Sequence, residues 1–551
     1  MRSLRFFFIM LVLLFQNYIF ADELSVTPSF RIYPSTTANQ SEPIIVVSPL
    51  NPQVMFCSAF TINIANPLFR SEGVYVTTNG GLNWFGNDTC TGAPVTNHGG
   101  DPGIAIDKNG VFLLYHIWNA AYTPPTTSVF THYSTNMGTT WSSQYPLYPP
   151  SSQSVPEDKG TLSTDNSPSS PYYGRSYATW VIYQQPYPVN VSYTTNSGLN
   201  WSTYTQVNPN PPKRCSGGEV KSALDGKIYD TWAGVSDTTP FAEIWAGFAS
   251  STNGGVSWNF QQIIFDMHGI TGFLPQKHGI RVNGIPRMAI DPGNGWIYIV
   301  TNEINISPAG SDPDIIFHRS TNGGQTWSQG IRVNQDPVNN GKIQYFPEIC
   351  MDSTGAINVL YYDDRNTTSD SAQIFMSRST NGGNTWYDFQ VSDKTFAPQP
   401  IPGGPQFYQG DFISLATASN KLYPVWMANY TGTYQIWMTI LDISLIGIKK
   451  ISSEVPVNFE LKQNYPNPFN PSTKIKFDIP DFPLMKGASG MTVRLTIYDI
   501  LGREVTTLVN AQLQPGSYEV TWDATNKPSG VYFYELITDS YKMTKKMLMI
   551  K

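Results

Sequence analysis

An eight-residue phrase recurs six times along this chain and limits what it can fold into. It reads TTNGGLNW from Thr77 to Trp84, STNMGTTW from Ser134 to Trp141, TTNSGLNW from Thr194 to Trp201, STNGGVSW from Ser251 to Trp258, STNGGQTW from Ser320 to Trp327 and STNGGNTW from Ser379 to Trp386. Successive starts lie 57, 60, 57, 69 and 59 residues apart. A period of that size describes one supersecondary unit stacked on copies of itself. The phrase has the chemistry of a tight turn. Asn bonds its own backbone, Gly supplies positive φ without steric cost, and Ser or Thr ties the turn from its start. The closing Trp offers a large apolar face suited to wedging one unit against the next.

Two strand-like runs precede each phrase. One opens near an acidic or Pro-flanked position, as in EPIIVVSP from Glu42, DPGIAID from Asp101 and PEICMD from Pro347; the other ends in bulky residues, as in VFLLYHIW from Val111 and INVLYYDD from Ile357. A third run leads into the phrase and a short fourth begins at its Trp, which makes four strands per unit. Gly410 to Leu441 matches the first three strands of a seventh unit without the phrase, and SVTPSFRIYP (Ser25 to Pro34) is available to supply its outer strand. Such closure removes free sheet edges.

The phrases resemble the Asp-box, the bacterial neuraminidase repeat, with Asn in the usual Asp place at Asn79, Asn136, Asn196, Asn253, Asn322 and Asn381, and the closing Trp at Trp84, Trp141, Trp201, Trp258, Trp327 and Trp386. The resemblance implies an all-β chain built on a sialidase-like β-propeller. We expect seven blades, with six, the number in sialidases, as the alternative. The phrases then lie opposite the ligand-binding rim and are structural.

The ends of the chain carry addresses. Met1 to Arg5 holds two arginines, Phe6 to Phe15 is almost wholly apolar and Ala21 is small, which reads as a secretory signal peptide over residues 1–21. No later stretch is long and apolar enough to cross a bilayer as a helix. Residues 22–442 form the propeller and 443–457 a linker or short connecting strand. Residues 458–551, with alternating strands and Pro, Asn and Gly turns, suggest a small β-sandwich of Ig-like kind. NYPNPFNPST, YDILGREV, PGSYEVTWD and PSGVYFYEL in this segment resemble the type A C-terminal sorting domain of the type IX secretion system. That resemblance implies export through this machinery, as its partner, via the periplasm to the outer surface or the medium.

Charged residues make up 13% of the chain and the net charge is −6, with no basic run before the last residues, so nucleic acid is not an expected partner. Cys57 and Cys90 fall within one repeat and are either a disulfide or two buried thiols. Six histidines without HExxH spacing give no metal site, and no cofactor is read from the sequence.

Candidate ligand groups sit where inner strands begin. Glu42, Asp101, Asp158, Glu219, Glu348 and Asp411 are acidic there, and Arg287 holds the place in the fifth unit. Converging carboxylates bind a cation or a sugar or do acid–base work; capping of strand starts is the plain alternative. The longest connection, DMHGITGFLPQKHGIR (Asp266 to Arg281), and YYDDR (Tyr361 to Arg365) offer Arg281, Arg287 and Arg365 to one sector, beside Tyr361 and Asp364. Arginine forks suit a carboxylate or sulfate, and pairing of Arg365 with Asp363 or Asp364 is the competing reading. Sialidases use three arginines, an Asp acid/base and a Tyr–Glu pair, and an FRIP-like motif supplies the first arginine. Here Phe30-Arg31-Ile32-Tyr33-Pro34 carries an extra Tyr, and an Arg31 on an outer closing strand cannot reach the channel. No catalytic residue is assigned. The expected role is binding of extracellular glycan or protein; the alternatives are an exo-α-sialidase or other glycoside hydrolase and a non-enzymatic structural or adhesive surface protein.

Overall fold

The computed structural model describes residues 28–551 except 37, 68, 91–97, 119–127, 149–156, 271, 406, 453, 482–489 and 525–526. The signal-peptide reading lies outside the described residues. Among those described, the chain is all β apart from two three-residue 3-10 turns, and no helix is long and apolar enough to cross a membrane.

Seven antiparallel sheets follow one another in sequence order. Their first strands are Ala38–Val47, His98–Ile106, the broken pair Glu157–Asp158 and Leu162–Thr164, Arg214–Ser222, Arg287–Ile290, Gln344–Met351 and Ser414–Ala418. These strands contact one another in cyclic order, the last returning to the first. The outer strand of the seventh sheet is Phe30–Arg31, with Phe30 opposite Met438 and Arg31 opposite Trp437. Two chain ends therefore share one sheet. Arg31 spends its reach at the periphery, on Gln435 Oε1 at 3.0 Å.

Each phrase joins the third and fourth strands of its sheet, and the sequence dictates its shape. In the fifth sheet, Ser320 Oγ donates to Asn322 Oδ1 at 2.9 Å and accepts the Gly324 N–H at 2.8 Å, while Asn322 Oδ1 accepts the Thr326 N–H at 3.0 Å. The same three bonds recur in the other five phrases. Gly324 has φ 87°, which a side chain resists. The closing Trp packs on the preceding sheet: Trp141 lies 5.7 Å from Phe56, Trp327 5.4 Å from Phe248 and Trp386 5.2 Å from Phe317, and Trp84 joins the cluster of Tyr423 and Ile436 in the seventh sheet. Burial of these rings holds neighbouring sheets together, at about 3–5 kcal/mol for each Trp or Phe truncated.

The C-terminal part is two four-stranded sheets around one core that includes Ile475, Phe477, Val493, Leu495, Trp522, Tyr534 and Met547. Its first strand is Ile448–Ser452, which pairs with Gly516–Asp523. Much of the segment assigned to a linker thus belongs to this sandwich, because Ile448 is buried in its core. Cys57 and Cys90 are free and buried, and burial pushes both thiols above their ordinary range.

Candidate functional site

The first strands share a local defect that builds the site. The ladder skips between Ser41 and Ile44, Gly100 and Gly103, Ser216 and Gly218, and Tyr345 and Glu348. Within these bulges Glu42, Asp101, Gly217 and Phe346 have φ of 53°, 54°, 58° and 52°. Bulges re-aim side chains, and non-glycine residues with positive φ persist only where surroundings impose them. In the first two sheets the bulges bring Glu42 and Asp101 together, the one buried against the other.

Two groups of charges result. Glu42, Asp101, Asp158 and Asp411 act on one another, with Lys159 in their midst. The Asp101 N–H donates to Glu42 Oε2 at 3.1 Å. Burial, then the Asp411 charge, raises the Glu42 carboxyl to about 7. Burial followed by Glu42, Asp158 and Asp411 holds Asp101 well above the usual carboxylate range, with Lys159 opposing. Burial and Arg287 bring Lys159 down to about 7. Asp158 accepts from Tyr183 Oη, which also meets Ser216 Oγ at 2.8 Å. One step farther along the strands, Arg287 reaches Glu348 at 2.9 Å and Glu219 at 3.9 Å, and Lys221 reaches Glu219 at 2.9 Å. Burial opposes ionisation of Glu219, but Lys221 and Arg287 outweigh it and hold the carboxyl below its ordinary range. This second group lines a cavity of about 370 Å³ to which all seven first strands contribute.

The long connection between the fourth and fifth sheets forms a hairpin, Gly272–Leu274 with Ile280–Val282, that lands on the sixth and seventh sheets. Lys277 at its turn is fully buried, donating to Asp364 at 2.6 Å and to the Ser369 and Ser371 carbonyls at 2.7 Å. Arg281 forks onto Asp411 and lies 5.0 Å from the Tyr408 ring.

The arginines expected in one sector hold different partners. Arg281 is on Asp411, Arg287 on Glu348 and Glu219, and Arg365 on Asp363, Asp388 at 2.6 Å and Asp336 at 3.6 Å. Arg365 also donates to Tyr361 Oη at 3.2 Å, and Tyr361 is fully buried against Ser377. Asp364 is buried too, accepting from Lys277 and the Ile343 N–H. All three are engaged within the protein: Arg365 pairs with Asp363 rather than with the axial groups, and Asp364 with Lys277.

A cleft of about 540 Å³ opens between the third and fourth sheets, lined by Tyr187, Asn210, Lys213, Arg214, Asp237 and Phe241 among others. Arg214 lies 5.0 Å from both the Tyr183 and Phe241 rings, and Lys213 pairs with Asp237 at 2.5 Å. Tyr183 thus links the cleft to Asp158. None of these cleft residues is among the candidate groups of the sequence, which lie at strand starts and in the Asp266–Arg281 and Tyr361–Arg365 segments. The signal of the cleft loops was Pro and aromatic density beside a Lys-Arg pair, in YQQPYP, NPNPPKR and SDTTPF. Elsewhere, three buried histidines, His98, His116 and His132, place ring nitrogens within 4.8 Å of one another, a gathering that no sequence spacing announced.

Residues 463–551 match the family of the secretion system C-terminal sorting domain, so the second domain is of that family and indicates export to the cell surface or beyond. No curated protein matches the chain in sequence. Among solved structures, the chain is similar to a protein of unknown function from Dyadobacter fermentans (14% identity, 61% of this chain and 94% of that one, TM-score 0.40). It is similar also to a polysaccharide lyase, the PL25 ulvan lyase (11%, 74% and 95%, TM-score 0.46), and to the NanB sialidase of Streptococcus pneumoniae (9%, 71% and 83%, TM-score 0.38). Likeness at this level identifies no substrate.

Proposed function

We propose that residues 22–442 are a seven-bladed Asp-box propeller, exported by the type IX machinery through the C-terminal domain, that binds an extracellular glycan bearing an anionic substituent. The observation that carries this reading is the cleft of Tyr187, Phe241, Lys213 and Arg214, continuous through Tyr183 with the acids of the axis. Aromatic faces suit the apolar faces of sugar rings, and a guanidinium set between two rings suits a carboxylate or sulfate. The volume is that of an ordinary ligand site. Against a sialidase assignment stand the separate partners of Arg281, Arg287 and Arg365 and the peripheral Arg31.

Binding of the full chain to immobilised sulfated and uronic-acid oligosaccharides tests the proposal. We expect binding that Arg214→Ala weakens about tenfold or more, consistent with loss of a charge-assisted contact; absence of binding by folded protein to any glycan overturns it and favours adhesion to protein.

One observation favours a hydrolase as the second reading. Glu42 lies in a buried group of carboxyls, its Oε2 accepting the Asp101 N–H at 3.1 Å, and burial raises it to about 7; a carboxyl kept protonated beside a second one is what the acid of a glycosidase pair requires. Turnover of fluorogenic α-sialosides and other glycosides, abolished in Glu42→Gln, would establish it.

A further inference from the structure

His98, His116 and His132 come from the first three strands of the second sheet, His98–Ile106, Phe112–Trp118 and Val129–Ser134. The ladder sets His116 opposite Phe130 and His132 opposite Leu114, so the two histidines are diagonal neighbours on one face. Their rings stack, with centroids 3.9 Å apart for His98 and His116 and 5.2 Å for His116 and His132. All three are buried, at 0%, 0% and 2% exposure. An apolar residue would fill each position without this polar cost.

Counting protons exposes an unmet demand. His116 Nδ1 lies 2.9 Å from the Ile117 carbonyl and His132 Nδ1 2.9 Å from the Ser142 carbonyl. A carbonyl only accepts, so both Nδ1 atoms carry their ring's hydrogen. Their Nε2 atoms then face each other at 3.1 Å as two lone pairs. Two neutral rings hold two hydrogens for three contacts. An ion between the Nε2 atoms meets both lone pairs at once while each Nδ1–H keeps its carbonyl. His98 adds a buried Nε2 with no hydrogen-bond partner among the described residues, its Nδ1 accepting the Glu72 N–H at 3.2 Å.

We propose that these histidines form a metal site for one first-row transition cation of the zinc type. Two imidazole nitrogens bound tetrahedrally to one ion at ~2.0–2.1 Å lie ~3.3–3.4 Å apart, so the His116 and His132 Nε2 atoms, 3.1 Å apart, need to open by only a few tenths of an ångström to hold it. Donation of the opposite ring N–H to a backbone carbonyl is the arrangement that fixes the tautomer of a metal-bound histidine. His98 joins through Nε2 only in its other tautomer, whose Nδ1 hydrogen would oppose the Glu72 N–H, so its ring must turn away from that amide as the ion binds. All three ligands belong to the second sheet, so the ion would tie its first three strands to one another as that sheet forms. Soft thiolate is absent from the set, and neutral imidazole selects zinc, copper, cobalt or nickel over calcium and magnesium.

The test uses the full chain stripped by chelation under partial denaturation and refolded with or without zinc or cobalt. We expect one ion per chain by elemental analysis, visible cobalt absorption of a low-coordinate nitrogen site, and a melting temperature raised by zinc. His116→Leu combined with His132→Phe should fold without metal, melt no lower than the stripped wild-type protein, and show neither cobalt absorption nor a zinc-dependent shift. Refolded wild-type protein that takes up no zinc or cobalt overturns the proposal, as does uptake that survives the double substitution, which would place the ion elsewhere.

Discussion

The ammonium of Lys159 sits 3.6 Å from the centre of the Phe412 ring, and the guanidinium of Arg287 sits 5.3 Å from the same centre. Phe412 is buried. It stands between the acid cluster around Glu42 and the second cluster around Glu219, keeping two like-charged groups apart while giving each an aromatic face. We expect Phe412→Leu and Lys159→Met to be coupled in a double-mutant cycle by about 1–2 kcal/mol, the range of a desolvated cation–π contact. Additive melting shifts would show the contact to be inert.

Arg287 is the counter-charge of Glu348, whereas Glu219 also has Lys221. Arg287→Ala removes the direct ion-pair partner of the buried Glu348 and leaves it only the pull of Lys221 and Lys159, so a loss of about 3 kcal/mol is expected near neutral pH. The loss should shrink at acidic pH, where Glu348 takes a proton. Denaturant titrations at two pH values check this, and a loss independent of pH would point to packing instead.

Asp230 tests the pH dependence of stability at a carboxyl outside the two axial groups, although the Glu219 charge also raises it. It is fully buried, accepts from Thr179 at 2.8 Å, and burial raises its carboxyl to about 7. The folded state therefore retains a proton that the unfolded chain has released above its own lower pKa. Stability must fall as pH rises from the unfolded value through about 7, because the native state binds more protons across that window. Asp230→Asn should be nearly neutral at acidic pH and stabilising by roughly 1–3 kcal/mol at slightly alkaline pH. A melting curve of the variant that tracks the wild type at all pH values would refute it.

Adjacent glycines of one phrase should differ. Gly323 has φ 71° and a Cβ there would meet nothing nearer than Tyr229 Oη at 3.9 Å. At Gly324, φ 87°, a Cβ would lie 2.1 Å from Phe248 Cε1. Gly323→Ala is expected to cost about 1 kcal/mol of backbone strain and Gly324→Ala distinctly more, since it also displaces the ring on which Trp327 packs. Equal melting shifts for the two would contradict the wedge between sheets.

What the sequence determined by itself was periodic and local. The Ser/Thr, Asn and Gly positions of each phrase specify one turn through bonds spanning two to four residues, so six copies announce the unit, its four strands and the Trp that wedges one unit against the next. The SVTPSFRIYP segment was legible as a spare strand because the seventh unit lacks one. The acids at strand starts were legible for the same reason, since their place in the repeat sets their height along the axis. Tertiary structure alone decided which charges meet. Arg365 turned to Asp363 two residues away rather than to the axis, because a contact already made locally needs no ordering of distant chain. Lys277 found Asp364 across 87 residues, and Lys159 found Phe412, only once the hairpin was laid down and the first strands had closed in a ring. His98, His116 and His132 stand on three separate strands with no motif spacing, and only strand pairing in one register stacks them.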